Sequence, residues 1–150
     1  MKYEITYRGK VQAQQRPRGR AMTGKNGKTF VHMYDPQQSS DFKGKLHILS
    51  LLELDKVGGE PIAEACKVKL TVFMPIPESY SKKKKEQIFL GLLYPTRKPD
   101  VDNLLKSVLD GVNGVLLKDD RFVVEAQVCK RYADHEGLAL RLETMDELEF

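Results

Sequence analysis

Segments in which apolar and polar residues alternate constrain the fold of this chain more than any other feature. Between positions 3 and 8, the apolar residues Tyr3, Ile5 and Tyr7 alternate with polar ones. Side chains two residues apart in a β-strand point to the same side of the sheet, so this pattern predicts a half-buried strand. The same reasoning, together with β-rich composition, predicts further strands at 29–34, 66–74, 122–132 and 138–144.

A helix is predicted from about Asp102 to Gly111, after the proline-containing segment that ends at Pro99. Its apolar residues recur at i, i+3, i+4 and i+7, which is the stripe of an amphipathic helix facing a core. These residues are Leu105, Val108, Leu109 and Val112.

Two further helices are predicted between the strands. One begins at an N-cap among residues 39–41 and ends near Leu54, and a short one is capped by Ser79 or Ser81 and continues to residue 90. Strands mixed with helices in this order predict an α+β fold, in which a mixed β-sheet packs with about three helices in a single domain. We expect this domain to span 1–142 and an acidic C-terminal tail to occupy 143–150.

Length and composition narrow the class of protein. A chain of 150 residues with 41% hydrophobic and 31% charged residues matches one globular domain rather than a disordered or membrane protein. No run approaches the ~18 apolar residues that a transmembrane helix requires, and no signal peptide is recognisable. Cys66 and Cys129 form no CxxC motif, which suits a reducing compartment and predicts a cytoplasmic protein.

The distribution of basic residues is compatible with a polyanionic partner and is also common among soluble proteins. The net charge is +4, and four of the 21 acidic residues lie after Leu142, where there is no basic residue. The stretch 12–28 lacks apolar periodicity and predicts a basic loop or a hairpin arm, whose side chains are of the type that can contact phosphates. Lys82–Lys85 is a second candidate, whose alternative is a solvated helix start. The candidate DNA-binding residues of the arm are Arg16, Arg18, Arg20, Lys25 and Lys28.

Asp100 and Asp102 are the first candidate catalytic pair. Pro99 has a fixed φ and disfavours helix before it, so the approach to the helix is predicted to be extended. Two carboxylates on one side of such a segment suit Mg²⁺, with Mn²⁺ as the alternative. Lys106 follows Asp102 by one helical turn and shares its face. In the alternative interpretation, Asp102 stabilises the helix start and forms an ordinary salt bridge with Lys106.

Asp119 and Asp120 form a second acidic pair, at the entrance to a predicted strand where acidic residues are unfavourable. In an extended segment the two side chains would point to opposite faces, so only one would reach the ion held by Asp100 and Asp102. Spacing leaves open which one it is. A solvated turn is the alternative for this pair, and Asp110 is interpreted as a helix charge.

These residues resemble the signature of RusA-type Holliday junction resolvases, which are small dimeric endodeoxyribonucleases of phage and prophage origin. The resemblance is concentrated in 97–131, and a weaker one extends to the basic N-terminal region. Its motif residues read KPDVDNLLK at 98–106, LDG at 109–111, NG at 113–114 and KDD at 118–120.

The resemblance implies a role for each matching position. Asp100, Asp102 and Asp120 match the metal-binding carboxylates of the family, Lys106 matches its essential lysine, and Asp119 matches the accompanying acid. It further implies a Mg²⁺-dependent homodimer that cleaves four-way DNA junctions during recombination and repair. The competing hypotheses are a non-catalytic nucleic-acid-binding domain and a nuclease for another branched DNA structure.

Overall fold

The computed structural model describes residues 1–145, which contain six strands, three α-helices and one 3₁₀ turn. The strands are β1 (Lys2–Arg8), β2 (Arg18–Thr23), β3 (Thr29–Tyr34), β4 (Cys66–Pro75), β5 (Val123–Ala133) and β6 (Gly137–Thr144). The helices are α1 (Gln37–Val57), α2 (Lys82–Phe89) and α3 (Val101–Val112), and the 3₁₀ turn spans Asp120–Phe122. The predicted α+β fold with a mixed sheet in a single domain is confirmed.

Four strands form the main sheet in the order β1-β6-β4-β5. Strand β4 is antiparallel to β6 and parallel to β5, and β1 is antiparallel to β6. The strands predicted at 122–132 and 138–144 are joined by a short turn, but they are not neighbours in the sheet, because β4 lies between them. The chain between β4 and β5 contains α2 and α3, as a parallel crossover requires.

The core lies between one face of the sheet and the helices α1 and α3. Alternate residues of β1, β4 and β6 are buried, whereas their neighbours along each strand are more exposed. Helix α3 contributes Leu104, Val108 and Val112, and α1 contributes Phe42 and Leu46. The predicted stripe is therefore correct for Val108, Leu109 and Val112, while Leu104 rather than Leu105 is fully buried.

The predicted N-cap of α1 among residues 39–41 is wrong. The helix begins at Gln37, directly after Pro36, which has φ −56° and ψ 146° and makes no side-chain capping bond. Proline suits this position, because its fixed φ and missing N–H cost nothing at a helix start. Ser39 is instead buried inside the first turn of the helix.

Strands β2 and β3 form a separate two-stranded hairpin, so the 12–28 stretch leads into an arm rather than a loop. All residues of both strands are exposed. Asp35 follows β3 directly, and its Oδ2 accepts a hydrogen bond from Lys43 Nζ of α1 at 3.0 Å. This ion pair fastens the base of the hairpin to the body of the domain.

The C-terminal end of the described chain belongs to the sheet. Glu143 and Thr144, which the sequence assigned both to the last predicted strand and to the acidic tail, lie in β6. Met145 N–H donates to the carbonyl oxygen of Ala65 at 3.0 Å. The remainder of the expected tail, residues 146–150, lies outside the described residues. Across the described part of the chain, none of the helices is long and apolar enough to cross a membrane.

Helices α1 and α3 are in close contact at Gly111, where an added Cβ would lie 2.8 Å from Leu46 Cβ. In an open helix, Gly→Ala is stabilising by about 0.5–1 kcal/mol. Here the overlap with Leu46 costs about 1–3 kcal/mol. We therefore expect Gly111→Ala to lower the free energy of unfolding by about 1–2 kcal/mol in urea denaturation.

Gly44→Ala is the matched control, because a Cβ at Gly44 in α1 would meet nothing within 4 Å. This variant should be more stable than the wild type by about 0.5–1 kcal/mol. Equal stabilisation of both variants would contradict the close packing of α1 on α3.

Candidate active site

The approach to α3 places two carboxylates at the start of the helix. Asp100 is the N-cap residue with an extended backbone, φ −74° and ψ 153°, as the sequence predicted, but its side chain makes no capping hydrogen bond. Asp102 lies in the first turn. Lys130 of β5 secures this approach, since its Nζ donates to the carbonyl oxygens of Arg97 at 2.8 Å and Pro99 at 3.1 Å.

Lys106 lies one turn further along α3, on the exposed side of the helix. Its Nζ is 3.2 Å from Asp110 Oδ1 and 3.8 Å from Asp120 Oδ2. The salt bridge with Asp102 that the alternative interpretation requires is not formed, because Lys106 pairs with the acids on its C-terminal side. Among residues 1–145, neither Asp100 nor Asp102 takes part in an ion pair.

A buried connector brings Asp119 and Asp120 towards α3. Residues 115–117 are buried, and the Ile62 N–H donates to the carbonyl oxygen of Leu116 at 2.9 Å. Lys118 N–H donates in turn to the carbonyl oxygen of Ile62 at 2.9 Å. The backbone of Ile62 therefore holds the connector through two hydrogen bonds, just before the chain enters the 3₁₀ turn.

The two acids of this pair have different surroundings. Asp119 caps the 3₁₀ turn, because its Oδ1 accepts a hydrogen bond from Arg121 N–H at 2.9 Å. Asp120 instead directs its carboxylate to Lys106. The solvated turn that was the alternative for this pair is thus a 3₁₀ turn in which Asp120 meets α3. The spacing of these residues along the chain had left open which of the two acidic side chains points towards α3.

The sequence indicated only that Asp110 carries a charge on the surface of the helix, whereas the structure shows it in contact with two lysines. Its Oδ1 faces Lys106, and its Oδ2 lies 3.4 Å from Lys43 Nζ of α1, which also binds Asp35. Asp110 therefore bridges two lysines and connects the site with the base of the hairpin. Its position four residues after Lys106 was the signal for this pairing in the sequence. Lys43 and Asp35 had no such signal, because their pairing is tertiary.

These carboxylates keep Lys106 charged. The hydrogen bond and the negative charge of Asp110 raise the pKa of Lys106 above its usual value, with a smaller contribution from Asp120 against the opposing effect of partial burial. A raised lysine pKa stabilises the fold fully below the ordinary value of about 10.4, and this stabilisation is lost as the pH rises through the folded-state pKa. Lys106 is therefore a cation throughout the neutral range.

The candidate metal ligands are oxygen donors of the kind that Mg²⁺ prefers. Within residues 1–145, however, no three His, Cys, Asp or Glu side chains lie close enough together to hold a metal ion. The three carboxylates expected from the sequence thus do not form a closed cage. Asp100 and Asp102 are exposed and lack ion-pair partners, whereas Asp120 faces Lys106. Carboxylate oxygens of this kind fit a hard cation chemically, and in this structure the Asp120 carboxylate is directed to Lys106.

The candidate DNA-binding residues lie on and around the hairpin and are exposed. Arg18 and Arg20 stand opposite Tyr34 and His32 in the antiparallel register, so all four side chains share one face. Lys25 and Lys28 belong to the turn between β2 and β3.

A strap connects β1 with this hairpin and crosses α3 near the candidate site. Ser107 Oγ donates to the carbonyl oxygen of Gln12 at 2.6 Å, and Gln14 N–H donates to the carbonyl oxygen of Asn103 at 3.2 Å. Arg16 follows Gln14 by two residues. The basic arm therefore begins beside the first turn of the helix that carries Asp102.

Acidic residues and a lysine on one helix, with a basic arm beside it, suit a protein that acts on nucleic acids. The family model described as endodeoxyribonuclease RusA matches residues 8–143. The chain belongs to the RusA endodeoxyribonuclease family, and this membership assigns it to the nucleases. It is also 40% identical to the uncharacterized protein YqaN of Bacillus subtilis (strain 168) over 133 residues, which cover 87% of this chain and 88% of YqaN.

The contacts of Asp110 generate a test of the charge network. Asp110→Asn removes the carboxylate closest to Lys106, so we expect the pKa of Lys106 to fall towards its ordinary value of about 10.4. Titration of the lysine Cε chemical shift by NMR measures this change. Asp35→Asn is the control, because Asp35 contacts Lys43 and not Lys106. An equal shift of the Lys106 pKa in both variants would contradict the assigned pairing.

Proposed function

We propose that this chain is a metal-dependent, structure-selective endonuclease that resolves four-way DNA junctions by paired phosphodiester hydrolysis. The observation that carries the proposal is the meeting of Lys106 with Asp120, one helical turn from Asp102, in a member of the RusA family. Recombination and repair in the cytoplasm are the processes in which such an activity would be used. The non-catalytic binding domain is the weaker hypothesis, because the family is one of endodeoxyribonucleases.

The exposed carboxylates are proposed to hold the metal. Asp100 and Asp102 would bind it from the start of α3 and Asp120 from the 3₁₀ turn, while Asp119 shapes that turn through its bond to Arg121 N–H. A bound Mg²⁺ supplies charge neutralisation at the phosphoryl oxygens and a lowered pKa for a coordinated water. Asp100 and Asp102 suit this role, since neither is neutralised by a basic side chain in the described chain.

Lys106 is proposed to stabilise negative charge rather than to move a proton. Asp110 raises the pKa of Lys106, so the side chain is a cation near neutral pH and suits charge stabilisation better than proton abstraction. An ammonium group beside the scissile phosphate can neutralise charge that develops in the transition state. If Asp120 held a metal instead of facing Lys106, Asp110 would still hold Lys106 in place through the 3.2 Å contact.

A homodimer would explain paired incision. Two nicks placed symmetrically across a four-way junction require two sites related by a two-fold axis, and two copies of one chain provide them. Branched DNA and a second copy of this chain are therefore the proposed partners.

Asp102→Asn tests the proposed catalytic role. The variant keeps the size of the side chain but loses the charge that would bind the metal, so we expect junction cleavage with Mg²⁺ to fall at least about a thousandfold, while junction binding stays within about twofold. Asp55→Asn, at the exposed C-terminal end of α1, is the matched control and should cleave normally. Normal cleavage by Asp102→Asn would refute the site assignment.

The substrate and ion are tested in the same assay. The wild-type protein is incubated with a synthetic four-way junction, a flap, a fork and a plain duplex, each with Mg²⁺, with Mn²⁺ or with EDTA. We expect paired nicks in the junction and none in EDTA. Scission of the flap or fork in preference to the junction would make this a nuclease for another branched structure. Binding without scission under any condition would leave only a DNA-binding domain.

The basic hairpin makes a separate prediction for binding. Each phosphate that the protein no longer neutralises reduces the steepness of log K against log[salt] by about 0.9. Arg18→Ala with Arg20→Ala should therefore weaken junction binding and flatten this slope by about 1.8. Lys67→Ala with Lys69→Ala, on the solvent side of β4, removes the same charge away from the hairpin. An identical slope change in the two double variants would show that only net charge matters.

A further inference from the structure

Helix α2 is an uncovered element on the surface of the domain. None of its eight residues is buried, and the Phe89 side chain at its C-terminal end is 91% exposed. Leu90 and Leu92, which follow it, are 67% and 71% exposed. Three large apolar side chains that lie close together in water make this surface a candidate interaction site.

The apolar residues adjoin a strongly basic helix face. Lys82, Lys85, Glu86, Phe89 and Leu90 line one shallow groove. Four of them recur at i, i+3, i+4 and i+7, so they lie on the same side of the helix. Glu86 is the one acidic residue of α2, against four lysines at 82–85.

The start of α2 is fixed to the body of the domain. Ser81 Oγ accepts a hydrogen bond from Lys84 N–H at 3.2 Å, and the hydroxyl groups of Tyr80 and Tyr132 lie 3.0 Å apart. The Tyr80 ring also packs edge-on against Tyr132 of β5, and Lys84 Nζ lies 4.7 Å from the centre of the Tyr80 ring. Elsewhere on β5, Lys130 holds the segment that leads into Asp100. The uncovered helix and the candidate active site are thus held by the same edge strand.

The positive charge of the lysine-rich face of α2 favours a negatively charged partner. A helix of eight residues is marginal in water unless its apolar side packs against something. A second copy of the same face carries the same excess of lysines, so it offers less opposite charge to this groove than a polyanion does. A polyanion would instead be attracted by the lysines, and nucleic acid also offers flat apolar base surfaces to an exposed aromatic ring.

The geometry points to α2 as a second DNA-binding element, in which Phe89 stacks on a base exposed where the duplex is interrupted and Lys82 and Lys85 contact the flanking phosphates. This inference rests on the proposed action on branched DNA and adds the feature of the substrate that α2 recognises. A continuous duplex keeps its bases stacked and offers Phe89 no such surface, so α2 favours branched over plain DNA.

Phe89→Ala tests the stacking contact. Aromatic stacking is worth about 1–3 kcal/mol per base, so the variant should bind a four-way junction at least about fivefold more weakly while its affinity for plain duplex is nearly unchanged. Phe89→Trp should retain junction affinity. Leu52→Ala, which removes another exposed apolar side chain on α1, is the matched control and should behave as the wild type.

The measurements are made in EDTA, so that binding is scored independently of cleavage. Junctions carrying 2-aminopurine at the branch point report stacking, since quenching of this base by the wild-type protein should disappear in Phe89→Ala and be kept in Phe89→Trp. Circular dichroism and light scattering verify the fold and the oligomeric state. Lys82→Ala with Lys85→Ala should flatten the salt slope by about 1.8.

Each result of these binding measurements either supports or overturns the assignment of α2 as a DNA-binding element. Unchanged junction binding by Phe89→Ala, or an equal loss for junction and duplex, would overturn it. A change of oligomeric state in Phe89→Ala would overturn it in favour of an interface between copies. A wild-type protein that does not bind junctions would also overturn it. A wild-type protein that binds junctions with the expected dependence on Phe89 but does not cleave them would refute only the proposed function.

Discussion

The close packing of α3 on α1 is the constraint on which the site depends. Gly111 lets the two helices approach until Leu46 fills the space that a side chain would occupy. Leu104, Val108 and Val112 are buried on the same side of α3. With one side of α3 held in this way, the rotation of the helix is set, and Asp102 and Lys106 must face outwards. The orientation of the candidate catalytic groups therefore follows from apolar packing on the opposite side of the helix.

The charges around α3 are distributed so that some carboxylates are neutralised and others are not. Asp110 forms ion pairs with two lysines, Lys106 of its own helix and Lys43 of α1. Among the described residues, Asp100 and Asp102 form no ion pair with a lysine, although Lys106 lies one helical turn away from Asp102. The local pairing thus leaves two uncompensated carboxylates at the start of α3, where the positive end of the helix dipole favours them. A lysine that is held in place and two carboxylates that remain available are the features on which the proposed hydrolysis depends.

Much of this architecture follows from local patterns. Short segments carry the alternation of apolar and polar residues in β1, β4 and β6, the apolar stripe of α3, and the prolines and glycines that end elements. Each predicted element was found at nearly its predicted position. The start of α1 was misplaced, because Ser39, Ser40 and Asp41 are all favourable caps and only packing decides that Ser39 turns inwards. Likewise, the positions of β5 and β6 along the chain were predicted, whereas the insertion of β4 between them was not.

By itself, the sequence determined the strands and helices, the family signature, and the residue types that can bind a hard cation and DNA phosphates, because these depend on composition and on spacing along the chain. Only the tertiary structure decided that Lys106 pairs with Asp110 and Asp120 rather than with Asp102. It also decided that Lys43 reaches Asp110 from another helix, and that Asp119 caps a turn while Asp120 meets α3. These choices depend on distances between segments far apart in sequence, which sheet order and helix packing set.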